Sequence, residues 1–168
     1  MAKCEIKNYT AGIEDFNKAI EINPKIPVVY LYRGSAYGNM ECYNEAVIDY
    51  GKAIELNPGF AEAYNNRGIL LSSKIRNYFG AIDDFDKAIK LNPNDASYYL
   101  YRGFAWSFHK DYKGAIDDFD KAIEINPRCA EAYYFRGQAK LELGQKERAY
   151  SDFSRAGELG IEDAYYYL

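Results

Sequence analysis

The chain has 168 residues, 48% of them hydrophobic and 27% charged, with a formal net charge of -4. That length carries one ordinary domain or one short solenoid with a real core. The acidic balance and the lack of a Lys/Arg run argue against a phosphate-backbone partner, which needs a concentrated basic surface.

In chain order, residues 1–8 are short and polar. A helix is expected from near Tyr9 to about Ile22, because Ile13, Phe16, Ala19 and Ile20 recur at helical spacing. Asn23-Pro24 ends it, since Pro cannot continue an interior hydrogen-bond ladder. A second helix spans about 27–40, with Pro27 in its first turn, where the missing N–H is harmless. A third spans about 43–56, with Ala46, Tyr50, Ala53 and Ile54 along one stripe. The same pair then recurs as 61–74 with 78–91, 96–109 with 112–125, and 130–143 with 146–157.

The four Asn-Pro pairs, at Pro24, Pro58, Pro93 and Pro127, are spaced by 34, 35 and 34 residues. A fixed period of that size predicts a repeat architecture. The stretch KIRNYFG in the 61–95 repeat holds one residue more than its counterparts, and that residue is expected in the turn. Gly34, Gly68, Gly103 and Gly137 fall midway along the first helix of each pair. Glycine there costs about 0.5–1 kcal/mol relative to alanine, so a close helix approach is expected at each. Ala46, Ala81, Ala115 and Ala149 play the matching part on the second helix, with Gly12 in the first unit. Phe16, Tyr50, Phe85, Phe119 and Phe153 fill the space beside them.

An arginine and an aspartate recur in step. Arg33, Arg67, Arg102 and Arg136 precede the glycines, while Asp15, Asp49, Asp84, Asp118 and Asp152 precede the aromatics. They are expected to form ion pairs that set helix register, either within a repeat or with the preceding one.

These residues carry a resemblance to the tetratricopeptide repeat, which spans nearly the whole chain. The 27–60 unit shows Tyr30, Gly34, Tyr37, Ala46, Tyr50, Ala53 and Pro58, and the 96–129 unit shows Tyr99, Gly103, Trp106, Ala115, Phe119, Ala122 and Pro127. Arg stands where the family has Leu before the first Gly. In the 130–163 unit Lys140 replaces an aromatic and Ile161 a Pro. The resemblance implies an all-α solenoid of about five helix–turn–helix repeats in a right-handed superhelix. It would form a single domain over 1–168, with units at 1–26 (partial), 27–60, 61–95, 96–129 and 130–163, and 164–168 starting a further helix.

No catalytic site emerges. His109 has no Ser or Cys arranged with it, and Asp83-Asp84 and Asp117-Asp118 belong to the repeat. No Gly-rich phosphate loop occurs, and no cofactor or metal is expected. Cys4, Cys42 and Cys129 are scattered without CxxC spacing, which reads as reduced thiols of a cytoplasmic protein, with one disulfide as the alternative. The N-terminus lacks the apolar segment of a signal peptide, and no run approaches the ~20 residues of a membrane span.

A surface remains. One face of the first helices varies between units while the packing positions hardly change. The resemblance implies that this face lines a concave groove. The site residues expected there are Tyr32, Ser35, Asn65, Asn66, Ile69, Tyr101, Phe104, Phe108, Tyr134 and Gln138, beside further variable positions such as Leu31. Family members that clamp a carboxylate tail use Lys and Asn at these places; only Asn66 fits, so no such clamp is expected. The reading is a non-catalytic scaffold that binds a peptide or protein segment through apolar anchors, without nucleic acid or membrane. The alternatives are a structural array that self-associates through its terminal helices, and a targeting domain of a larger protein. The chain's last residues, Tyr165 to Leu168, look unsatisfied as a terminus, which favours a piece of a longer protein.

Overall fold

The computed structural model describes residues 2–167, with side chains from Tyr9 onward. The helices are α1 (Ala2–Ile22), α2 (Pro27–Asn39), α3 (Tyr43–Leu56), α4 (Ala61–Leu70), α5 (Tyr78–Leu91), α6 (Ala96–Phe108), α7 (Tyr112–Ile125), α8 (Ala130–Glu142) and α9 (Lys146–Glu158). A π-helical turn (Leu71–Ile75) continues α4, and a 3-10 turn (Glu162–Tyr167) follows α9. Among the described residues there is no strand, so the all-α solenoid of helix–turn–helix pairs is what the chain forms. Helix α1 starts at Ala2 rather than Tyr9. The described chain divides into two compact units, Met1–Leu91 and Asn92–Leu168.

The glycines explain how the pairs close. The ring of Tyr50 lies so near Gly34 that an added Cβ would sit 2.9 Å from it, and Phe85 stands equally close to Gly68. In the second unit the same gap is 2.6 Å for Phe119 over Gly103 and 2.9 Å for Phe153 over Gly137. Ala46, Ala81, Ala115 and Ala149 are fully buried opposite. Each such aromatic ring adds about 2–3 kcal/mol of burial, more than a mid-helix glycine costs. In the first unit's partial repeat, among the described residues, only Phe16 comes within 4 Å of a Cβ added at Gly12.

The Asn-Pro pairs act as turns. The Asn23, Asn57 and Asn126 side chains accept the backbone N–H of Lys25, Gly59 and Arg128. In three repeats the aromatic that opens the first helix reaches back to the proline: Tyr30, Tyr99 and Tyr133 donate to the carbonyls of Pro24, Pro93 and Pro127. Between the helices of a pair, a left-handed residue closes the first helix at Glu41, Arg76, Lys110 and Gly144.

The extra residue of the 61–95 repeat lies in the helix, not in the turn. In three repeats the closing bond runs from Cys42, Asp111 and Gln145 N–H to the carbonyls of Tyr37, Trp106 and Lys140. In the fourth, Asn77 N–H reaches Leu71, the same acceptor position, across one residue more. The π turn absorbs the insertion, and the hydroxyls of Ser72 and Ser73 both donate to the Ile69 carbonyl there.

The arginine–aspartate pairs form within each repeat. Arg33, Arg67, Arg102 and Arg136 grip Asp49, Asp84, Asp118 and Asp152 through two nitrogens each. The remaining nitrogen reaches the preceding second helix, at Asn17 from Arg33 and at Asp120 from Arg136. The recurring pair thus forms within the repeat, and the contacts with the preceding helix use other residues, Asn17 and Asp120. Asp15 is the exception: it is exposed and pairs with Lys18. Lys140 fills the place of Tyr37 and Trp106 and bonds Asp152 at 2.7 Å, which accounts for that departure from the repeat.

Candidate functional site

On the first-helix side each compact unit carries a pocket, and the two are built from the same positions two repeats apart. The pocket of the Met1–Leu91 unit holds about 500 Å³ between α2 and α4, with Ser35, Asn39, Tyr43, Asn66, Ile69 and Ser73 in its wall. The pocket of the Asn92–Leu168 unit holds about 380 Å³ between α6 and α8, and presents Phe104, Phe108, Tyr112, Phe135, Gln138 and Glu142 at those positions. One repeat frame thus makes a polar pocket in one unit and an aromatic pocket in the other.

The aromatic pocket is pre-packed. The Phe104 ring meets Phe135 edge-on at 4.5 Å and Phe119 at 5.7 Å, so it forms the floor and does not stand free. Phe108 is 57% exposed at the rim. Tyr167 closes the far wall. Its ring stacks on Phe153 at 4.3 Å, lies edge-on to Tyr134, and its hydroxyl accepts from the Gln138 amide at 3.4 Å. Burial, and then its bond with Tyr167, raises the Tyr134 phenol above the ordinary tyrosine value. Tyr165 packs on Gly157 while Tyr166 stays 88% exposed; Leu168 lies outside the described residues.

The polar pocket is hydrogen-bonded instead. Ser35 and Tyr50 share a hydroxyl contact of 3.2 Å at its base, and burial raises the Tyr50 phenol despite it. Asn65 donates to the Asn66 side-chain oxygen at 3.3 Å. A smaller hollow of about 290 Å³ lies next to it, where Tyr32 stacks on Phe16 at 6.3 Å.

The expected site residues therefore divide. Ser35, Asn66 and Ile69 come together in one pocket, and Phe104, Phe108 and Gln138 in the other. Tyr32 lines the smaller hollow. Tyr101 packs edge-on to Phe104, and Tyr134 stands behind Tyr167. Asn65 is only 9% exposed, and its side-chain oxygen has no hydrogen-bond partner. It shares its repeat position with Leu31, which is 1% exposed in the core and so lines no groove. Tyr43 and Lys74 also line the polar pocket but escaped the sequence reading, because they lie off the periodic face or near helix ends.

Cys42 and Cys129 are free, and burial raises the Cys129 thiol; Cys4 lies outside the described side chains. Among the described residues no group of His, Cys, Asp and Glu could hold a metal ion, and no helix is long and apolar enough to cross a membrane.

Sequence profiles of the tetratricopeptide repeat match residues 27–60, 50–83, and 5–26 with 130–159, and a TPR-repeat profile matches 110–144. No curated protein sequence matches the chain. Among solved structures the chain is similar to MamA, at 26% identity and TM-score 0.87, covering 94% of this chain and 92% of that one. It is also similar to YrrB, described as a TPR protein with an unusual peptide-binding site, at 27% identity and TM-score 0.78, covering 92% of this chain and 80% of that one. MamA from Desulfovibrio magneticus RS-1, at 20% identity and TM-score 0.81, shares the fold over 92% of this chain and 94% of that one.

Proposed function

Because the chain belongs to the tetratricopeptide-repeat family, we propose that it is a non-catalytic scaffold that holds a peptide or protein segment on its first-helix face. The observation that carries this reading is the aromatic pocket. Phe108 stands exposed over a floor of packed rings, the form of an anchor site for an apolar side chain. The peptide-binding site described for YrrB supports the same class of ligand. The net charge of -4 supports a protein partner over nucleic acid. We place the protein in the cytoplasm on its scattered cysteines without CxxC spacing, and read it as one repeat domain over 1–168.

The test is a random-peptide library displayed on phage and panned against the chain, followed by affinity measurement of a recovered peptide. Phe108→Ala is expected to weaken that peptide about tenfold or more, the size of an aromatic hot spot. Its melting temperature should stay unchanged because the side chain is exposed. Binding that survives Phe108→Ala but is lost on Ile48→Ser, on the opposite helix face, would contradict the reading.

A further inference from the structure

We propose that the aromatic pocket of the Asn92–Leu168 unit is an arginine site, which stacks the guanidinium of one arginine of the bound segment on its rings and pairs it with Glu142. This rests on the reading that the first-helix face binds peptides, and it names the side chain that the anchor site takes.

The pocket combines five aromatic rings with a single charge. Phe104, Phe108, Tyr112, Phe135 and Tyr167 line it together with Glu142, and no Lys, Arg or His is among its lining residues. Glu142 is exposed and makes no ion pair among the described residues. The polar pocket lacks this bias, because it holds both Lys74 and Glu41, and Ser73 stands at the position of Glu142. An aromatic ring attracts a cation to its face, more strongly where water is excluded. Gln138 gives its amide N–H to Tyr167, which leaves its carbonyl oxygen as a further acceptor in the same wall. The pocket thus offers ring faces and oxygen acceptors to an incoming cation, and no positive group to repel it.

The chemistry favours arginine over lysine. A guanidinium is planar, stacks on rings and is more weakly hydrated than an ammonium, so it loses less on leaving water. Its N–H fork also matches a carboxylate through two bonds. The same unit already holds guanidinium groups in this way. Arg102 lies 5.7 Å from the centre of the Tyr99 ring while it grips Asp118, and Arg136 lies 5.3 Å from that of Tyr133 while it grips Asp152. The methylene stem of the incoming arginine supplies the apolar part of the anchor, against the floor of Phe104 and Phe135. The chain's net charge of -4 favours a basic segment as well.

The experiment uses the same displayed library and the full chain. Peptides recovered on the wild type should be enriched in arginine at one position. One of them should bind Glu142→Gln about tenfold more weakly, a typical loss for a charge-assisted hydrogen bond. Its citrulline version keeps the stem and the planar head without the charge. That version should bind the wild type equally weakly and Glu142→Gln no worse. A lysine version should bind the wild type several-fold less tightly than the arginine peptide. Glu142 is exposed, so the variant should melt like the wild type. A recovered pool enriched only in apolar residues, or a cycle without coupling between Glu142 and the guanidinium, overturns the arginine site and leaves the apolar anchor standing. Equal binding of the lysine version overturns the choice of arginine. A library that yields no binder overturns both readings of the pocket.

Discussion

The two pockets share a backbone frame and differ in nearly every side chain that faces the solvent. Ser35, Asn39 and Asn66 in one unit stand where Phe104, Phe108 and Phe135 stand in the other. The groups beneath them barely change: Gly34 under Tyr50 and Gly103 under Phe119, with Arg33 on Asp49 and Arg102 on Asp118. The comparison teaches where stability and recognition separate. The glycine–aromatic contact and the arginine–aspartate pair carry the fold, and the pocket wall is free to specialise.

The largest effect should come from breaking that shared frame. Arg67→Ala strands Asp84, whose side chain is 6% exposed, and should cost about 3 kcal/mol. That is the lower end for a buried pair, because Arg67 itself is 26% exposed. The second unit sharpens the test. Arg136→Ala should cost clearly less, because Asp152 keeps its bond to Lys140. Urea unfolding of the two variants reads the difference; equal losses would mean that Lys140 adds nothing.

Next comes the pair at equivalent wall positions. Phe104→Ala removes a ring wedged between Phe119 and Phe135 and should cost about 2–3 kcal/mol, below the range for a fully buried phenylalanine. Ser35→Ala removes one hydroxyl contact with Tyr50 and should cost about 1 kcal/mol or less. Phe104 is therefore unsuited to test binding alone, whereas Phe108 is suited. Thermal melts of both variants check this, and similar shifts would erase the distinction between floor and wall.

The smallest effect is a pH slope. Burial, which outweighs the Arg67 hydrogen bond, raises the Asp84 carboxyl above its ordinary 3.8. The folded state then keeps this proton to higher pH than the unfolded chain does. Stability from this group is highest below the ordinary value and falls as pH rises through the folded one, after which it is level. Asp84→Asn should remove that slope from the urea midpoint measured across the acid range. A wild-type slope of opposite sign, attributable to Asp84, would contradict it.

Much of this was legible in the sequence, for a physical reason. Positions that face a partner in the same repeat recur with the period, so Gly103, Phe119, Arg102 and Asp118 announce themselves by repetition. Depth between neighbouring first helices does not. Asn65 and Leu31 share the periodic face with Tyr32 and Asn66 yet lie buried, since the spacing of adjacent helices sets exposure. The inserted residue was visible as a count, but its place was not. Only the hydroxyls of Ser72 and Ser73 on the Ile69 carbonyl show why a helix and not a loop takes it up. Lys74 was missed for the same reason, because its position depends on that π turn.

The central claim is that the first-helix face is the binding face. It is tested most directly by following the side-chain amide resonances of Asn66 and Gln138 in a nitrogen–proton correlation spectrum while a library-selected peptide is added. One amide reports on each pocket. The account expects the Gln138 amide, in the aromatic pocket, to shift and saturate as the peptide is added, with Ile48 and Tyr150 on the second helices unmoved. Shifts confined to the second helices, with both amides unchanged at saturation, would contradict it.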